Sequence, residues 1–259
     1  MIASLHIQAA LRADVTYLKK SYFSPPLKVA DITENRREKW LHIMQMSSSP
    51  GILDGDQLDI KIELAENCHL QLHTQSYQRL FSMKTGASQV MEVDLAKGAS
   101  FTYLPHPVVP QENSVFKTKN KIRLEEGSCL IWGEIITCGR KLNGEIFRFS
   151  KYHAITEVYR LNKLIIKENI CLDPSSMDLH ATGFLEGFTH QASLIFIDEK
   201  IEINTLINEA SIFLETQKEI ISGVTAAPES GILVRILGNK SEQLMDCLKE
   251  ITEIFTRKN

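Results

Sequence analysis

Apolar residues occupy every second position through Leu58-Asp59-Ile60-Lys61-Ile62-Glu63-Leu64, the period of a strand with one buried face. Met91-Glu92-Val93-Asp94-Leu95 and Ile122-Arg123-Leu124 repeat the pattern. Each run ends in a similar turn: Leu64-Ala65-Glu66-Asn67-Cys68, Leu95-Ala96-Lys97-Gly98-Ala99 and Leu124-Glu125-Glu126-Gly127-Ser128. The leading leucines stand 31 and 29 residues apart, and Asn67, Gly98 and Gly127 take equivalent places where a positive φ is expected. After each turn a strand resumes, as in Cys68-His69-Leu70-Gln71-Leu72-His73 and Ser100-Phe101-Thr102-Tyr103-Leu104. Strand, tight turn and strand recurring near 30 residues predict a layered β architecture; an antiparallel meander, with hairpins at similar intervals, is the alternative.

The last quarter changes character. From Ile203 to Gln217 the apolar residues Ile203, Leu206, Ile207, Ala210, Ile212, Phe213 and Leu214 lie close to helical spacing. Ile232-Leu233-Val234-Arg235-Ile236-Leu237 reads as a strand closed by Gly238. A final helix follows, with Asn239 or Ser241 as its cap, Leu244, Leu248, Ile251 and Phe255 as its apolar stripe, and Arg257 and Lys258 at its C-terminal end. No Pro/Gly/Ser linker separates these elements, so residues 1–259 are expected to form one mainly β domain, strands to about residue 200 and two helices after it.

Lys plus Arg is 29 and Asp plus Glu 32, a net charge of −3 that argues against a nucleic-acid surface. No apolar run approaches the ~18 residues of a membrane-spanning helix, and the first residues lack a signal-peptide pattern. The five cysteines are odd in number, dispersed and without a C-x-x-C pair, which suits reduced thiols and a cytoplasmic protein.

The chain has no phosphate loop, dinucleotide-binding turn, His-Glu-x-x-His or nucleophile elbow, and no catalytic residue is assigned. His69 and His73 share one face of a strand, but four residue steps hold them about 13 Å apart, too far for one ion. Scattered thiols such as Cys68 are more often core residues than ligands. Asp54-Gly55-Asp56 lacks the downstream pattern of a calcium loop and reads as a turn. Glu134 sits inside the apolar strand Ile131–Ile136, so its carboxylate must be solvated, paired or neutralised. Arg140 and Glu145 flank Asn143-Gly144, a hairpin signal that would set them facing across two strands. A structural ion pair and a polar docking rim are both compatible with that placement.

Several segments resemble, in order, the UreD/UreH family of urease accessory proteins. They are Tyr22-Phe23-Ser24-Pro25-Pro26-Leu27-Lys28-Val29, Gly51-Ile52-Leu53-Asp54-Gly55-Asp56, Leu72-His73-Thr74-Gln75, Tyr103-Leu104-Pro105-His106-Pro107, the block from Trp132-Gly133-Glu134 through Gly139-Arg140 to Gly144-Glu145, and Gly231–Leu237. His106 stands where the family commonly has an acidic residue, and Gly133 separates a Trp–Glu pair usually adjacent. The resemblance implies β-helix-like sheets with C-terminal helices and a non-enzymatic chaperone of urease maturation. It also implies partners: a UreF-type protein, a UreG-type GTPase reached through it, and apo-urease, with nickel in transit through an internal tunnel. Weak, exchanging donors suit such a path better than a tight metal site, which is not expected. Asp56, Cys68, His69, Glu134 and Glu145 are the candidates for the path. Arg140, Arg235, Leu248 and Phe255 are candidates for structural or docking roles, the C-terminal helices being expected to offer an apolar patch. The rival readings are a β-helix hydrolase using paired carboxylates and a scaffold without a metal path.

Overall fold

The computed structural model describes residues 1–257, which excludes Lys258, one of the two cations expected at the last helix end. β1 (Ile2–Arg12) and β2 (Val15–Phe23) form a hairpin at one edge of a first sheet, and β3 (Leu27–Asp31) and β4 (Trp40–Ser47) form another at the edge of a second. The chain then winds between the two sheets. β5 (Gln57–Leu64) lies in the first and β6 (His69–Thr74) in the second; after the short β7 (Gln78–Leu80), β8 (Ala87–Leu95) returns to the first and β9 (Ser100–Tyr103) to the second. Past β10 (Val108–Pro110), β11 (Val115–Leu124) and β12 (Cys129–Thr137) repeat the circuit. β13 (Lys151–Arg160) turns back antiparallel as β14 (Lys163–Leu172). β15 (His190–Ile197), helix α1 (Ile203–Glu215), β16 (Ile221–Ala227), β17 (Gly231–Gly238) and helix α2 (Ser241–Thr256) complete the described residues.

The first sheet runs β14-β13-β11-β8-β5-β1-β2 and the second β16-β17-β15-β12-β9-β6-β4-β3. Successive tiers pair in parallel, β5 with β8, β8 with β11, β6 with β9 and β9 with β12. A meander would pair them antiparallel, so the layered reading holds.

The repeated turns form one stacked corner. Asn67, Gly98 and Gly127 have φ of +57°, +69° and +66°. The Asn67 amide donates to the Lys97 carbonyl and the Gly98 amide to the Glu126 carbonyl, each at 3.0 Å. At Gly98 a Cβ would stand 2.3 Å from Asn67 Oδ1, so a side chain there would have to displace the Asn67 amide as well as adopt a positive φ.

Leu58, Ile60, Ile62 and Leu64 of β5 face the matching inner residues of the second sheet and build the main core. The helices cover the outer face of that second sheet. Leu206, Ala210 and Leu214 of α1 and Leu244, Leu248, Ile251 and Phe255 of α2 are buried against Ile131, Ile135, Leu194 and Phe196. Leu248 and Phe255 are therefore packing residues rather than docking ones, and on α2 the expected apolar patch is turned inward. Gly133 allows the helix this close, since a Cβ there would meet Leu104 at 2.5 Å and Leu248 at 3.2 Å. Among the described residues no helix is long and apolar enough to cross a membrane.

Two local expectations are corrected. Asn143-Gly144 does not close a hairpin: β12 and β13 belong to different sheets, and the link between them holds a 3₁₀ turn over Lys141–Asn143 with Gly144 at φ +79°. A crossover between layers needs a wider path than a two-residue turn supplies. Lys240, not Asn239 or Ser241, is the N-cap of α2, and it makes no side-chain capping bond. Asn239 Oδ1 instead accepts from Thr189 Oγ1 at 2.9 Å, and Ser241 Oγ meets the Tyr77 hydroxyl at 3.1 Å.

Gly98→Ala is expected to lower unfolding stability by about 1–2 kcal/mol from the left-handed backbone, with the Asn67 clash added. Gly127→Ala, where the nearest atom to a Cβ is Lys200 Cε at 3.8 Å, should cost less. Denaturant unfolding of both variants checks the order; equal losses would remove the clash from the account.

Candidate functional site

Parallel register stacks side chains of equal parity, so the interior is built in rows. Nearest the corner, Leu64, Leu95 and Leu124 align; next come Ile62, Val93, Ile122 and Val158. One row further on, Ile60 and Met91 are followed by Asn120, Thr156 and Glu168. In the second sheet the equivalent register carries Glu134, Ser193 and Arg235. Two aliphatic rows thus give way to a polar seam that deepens toward the β14 and β17 side.

Glu134 is its centre. Asn120 Nδ2, Thr156 Oγ1 and Trp132 Nε1 all donate to Glu134 Oε1 at 2.9 Å. Asn120 also donates to Thr156 Oγ1 at 2.9 Å. Burial holds the Glu134 carboxyl above the usual carboxylate range against these three bonds, and the nearby Glu168 charge pushes in the same direction. No cation is bonded to it among the described residues, and all three hydrogen bonds fall on the one oxygen, Oε1.

That cavity, about 140 Å³, lies between the sheets and is lined by Asp56, Gln78, Gln89, Thr118, Asn120 and Glu134. Its outer rim is formed by the segments 47–51, 74–78 and 105–106. On the far side of Glu134 a second hollow of about 290 Å³ is lined by Glu168, Ser193 and Arg235. Arg235 Nη2 donates to Glu168 Oε2, tying β17 to β14 across the two sheets. Polar groups thus continue from one hollow to the other through the Glu134 register.

The five residues singled out for a metal path do not converge. Asp56 and Glu134 line the same cavity. Asp56 is buried, accepts from the Leu53 amide at 2.8 Å and pairs with the Met1 α-amino group at 3.0 Å. Cys68 is buried at the corner, where burial pushes its thiol up. His69 lies on the outer face of the second sheet, its ring 5.4 Å from Trp40, and burial lowers its affinity for a proton. Glu145 sits on the crossover link in a two-bond pair with Arg140, which holds its carboxyl below the usual range. Among the described residues no three His, Cys, Asp or Glu side chains converge as a metal site.

Asn120, Thr156, Glu168 and Ser193 escaped notice in the sequence. Their signal was parity: in Phe116-Lys117-Thr118-Lys119-Asn120-Lys121-Ile122 the residues on the apolar phase are interrupted by Thr118 and Asn120.

The chain matches the family profile described as UreD urease accessory protein over residues 1–259. It is 44% identical over 252 residues to the urease accessory protein UreD of Flavobacterium johnsoniae, covering 97% of this chain and 91% of that one. The UreD of Acetivibrio thermocellus is 38% identical, with 97% and 96% covered. The UreD of Actinobacillus pleuropneumoniae serotype 5b is 35% identical, with 93% and 92% covered.

A raised carboxyl value means the folded state holds the Glu134 proton more tightly than the unfolded chain. That contribution to stability is full below the unfolded value and is lost as pH rises through the folded one. Glu134→Gln keeps an acceptor for the three donors and never ionises. Its unfolding free energy relative to the unaltered protein is therefore expected to improve as pH rises above the ordinary carboxylate range. A difference that does not change with pH, measured by denaturant unfolding, would contradict the burial argument.

Proposed function

The chain belongs to the UreD family of urease accessory proteins, and we propose that within urease maturation it is a scaffold that lets nickel pass through the polar seam between its sheets. The observation that carries the reading is Glu134, a carboxylate without a bonded cation among the described residues, set in the register between two polar hollows inside a largely apolar core. Nickel is cargo here. Carboxylate and amide oxygens hold a divalent transition ion more loosely than a closed set of thiolates and imidazoles, so they release it as readily as they take it. Asp56 and Gln89 would offer oxygens on one side of Glu134, and Glu168 and Ser193 on the other. Arg235, bonded to Glu168, keeps that side neutral until the pair opens.

In this reading the chain works through partners in the cytoplasm: a UreF-type protein, a UreG-type GTPase reached through it, and apo-urease. The absence of any phosphate-binding loop in the sequence is in keeping with a separate GTPase. Nothing in the seam requires a reaction catalysed by this chain. Glu145, with its Arg140 partner, belongs to the crossover link and serves structure rather than passage.

The test is nickel content of urease matured in the presence of each variant, together with co-purification of the partners. Glu134→Ala and Glu134→Gln should leave the partners bound and lower nickel content several-fold, whereas Glu145→Ala should lower it little. Since nickel must displace the Glu134 proton, loading by the unaltered protein should also rise with pH, more steeply than in the Gln variant. Full nickel content with Glu134→Ala would end the seam's role as a path.

A further inference from the structure

The outer face of the second sheet carries an arrangement that the seam does not use. β4 and β6 are parallel neighbours, with His42 opposite Gln71 and Met44 opposite His73, which sets His42 and His73 diagonally on one face. Their rings are stacked with centroids 5.5 Å apart, and His42 Nδ1 stands 3.2 Å from His73 Nε2. Nitrogens bound to one divalent ion at ~2.0–2.1 Å are themselves about 2.8–3.4 Å apart, from right-angled to tetrahedral geometry. The observed separation falls inside that interval.

The surroundings fit a ligand pair. Glu38 Oε1 lies 3.6 Å from His42 Nε2, the ring nitrogen away from His73. A carboxylate on that side favours the proton on Nε2 and leaves Nδ1 with its lone pair, the arrangement in which outer carboxylates orient metal-bound imidazoles. The His42 side chain is about a quarter exposed, so water can reach the pair and fill further coordination positions.

We propose that His42 and His73 form a surface site for a divalent transition-metal ion, with Glu38 as the positioning residue and water completing the coordination. Two imidazoles without a third protein ligand make an open, readily exchanging site, which agrees with the lack of any three-residue cluster among the described residues. The site lies on the opposite side of the second sheet from Glu134 and stands independently of the seam reading.

The experiment is titration of the full chain with Ni²⁺ and separately with Zn²⁺, followed by calorimetry and by the imidazole signals in NMR. Paramagnetic Ni²⁺ should broaden the His42 and His73 signals first, and this readout needs no variant. His42→Ala and His73→Ala should each weaken binding about tenfold or more, Glu38→Gln less, while His153→Ala, on the other sheet, should change nothing. Broadening that begins at other residues, or affinity unchanged in both histidine variants, would overturn the site and show the pair to be an imidazole–imidazole hydrogen bond only.

Discussion

The parallel register between tiers is the constraint on which the rest of this structure depends. Once β5, β8, β11 and β13 are held in step, each inner residue is stacked on its counterpart one tier away, and a row must be satisfied as a row. The corner turns keep this register. Asn67, Gly98 and Gly127 return the chain at the same height in each circuit, and the amide-to-carbonyl bonds between corners lock successive circuits together. Aliphatic rows close by dispersion and exclusion of water. The row containing Asn120 and Thr156 cannot do so, and it survives because its members bond to one another and to Glu134.

That seam gives the site its chemistry. A carboxylate paired with arginine in the interior would be held as a fixed ion pair, whereas three neutral donors on one oxygen orient Glu134 without neutralising it. Along this register arginine enters two strands from β12, where Arg235 of β17 meets Glu168. The difference between a held and an available carboxylate is visible within this one chain: Glu145, bound at both oxygens by Arg140, has no such freedom.

Much of the fold was legible because alternation and turn chemistry are local. The Leu58–Leu64, Met91–Leu95 and Ile122–Leu124 runs became parallel tiers, and the three positive-φ places lie where the repeated turns put them. The helices were legible from their stripes. The link after β12 was not, because Asn143-Gly144 suits a tight turn in isolation while the next strand belongs to the other sheet. The capping of α2 misled for a related reason, since Asn239 and Ser241 have partners on distant segments, Thr189 and Tyr77.

By itself the sequence determined which residues face inward, where the chain turns and that Glu134 is an oddity in an apolar strand, since these follow from period two and from the cost of burying charge. Only the tertiary structure decided what Glu134 meets. Two of its three partners come from β11 and β13, 14 and 22 residues away in sequence, and are brought to it by the register of a different sheet; only Trp132 is its neighbour on β12. The same holds for His42 and His73, 31 residues apart and adjacent only because β4 and β6 are neighbouring parallel strands. Period two assigns a side chain to a face, but the choice of neighbour on that face belongs to strand order, which no local pattern encodes.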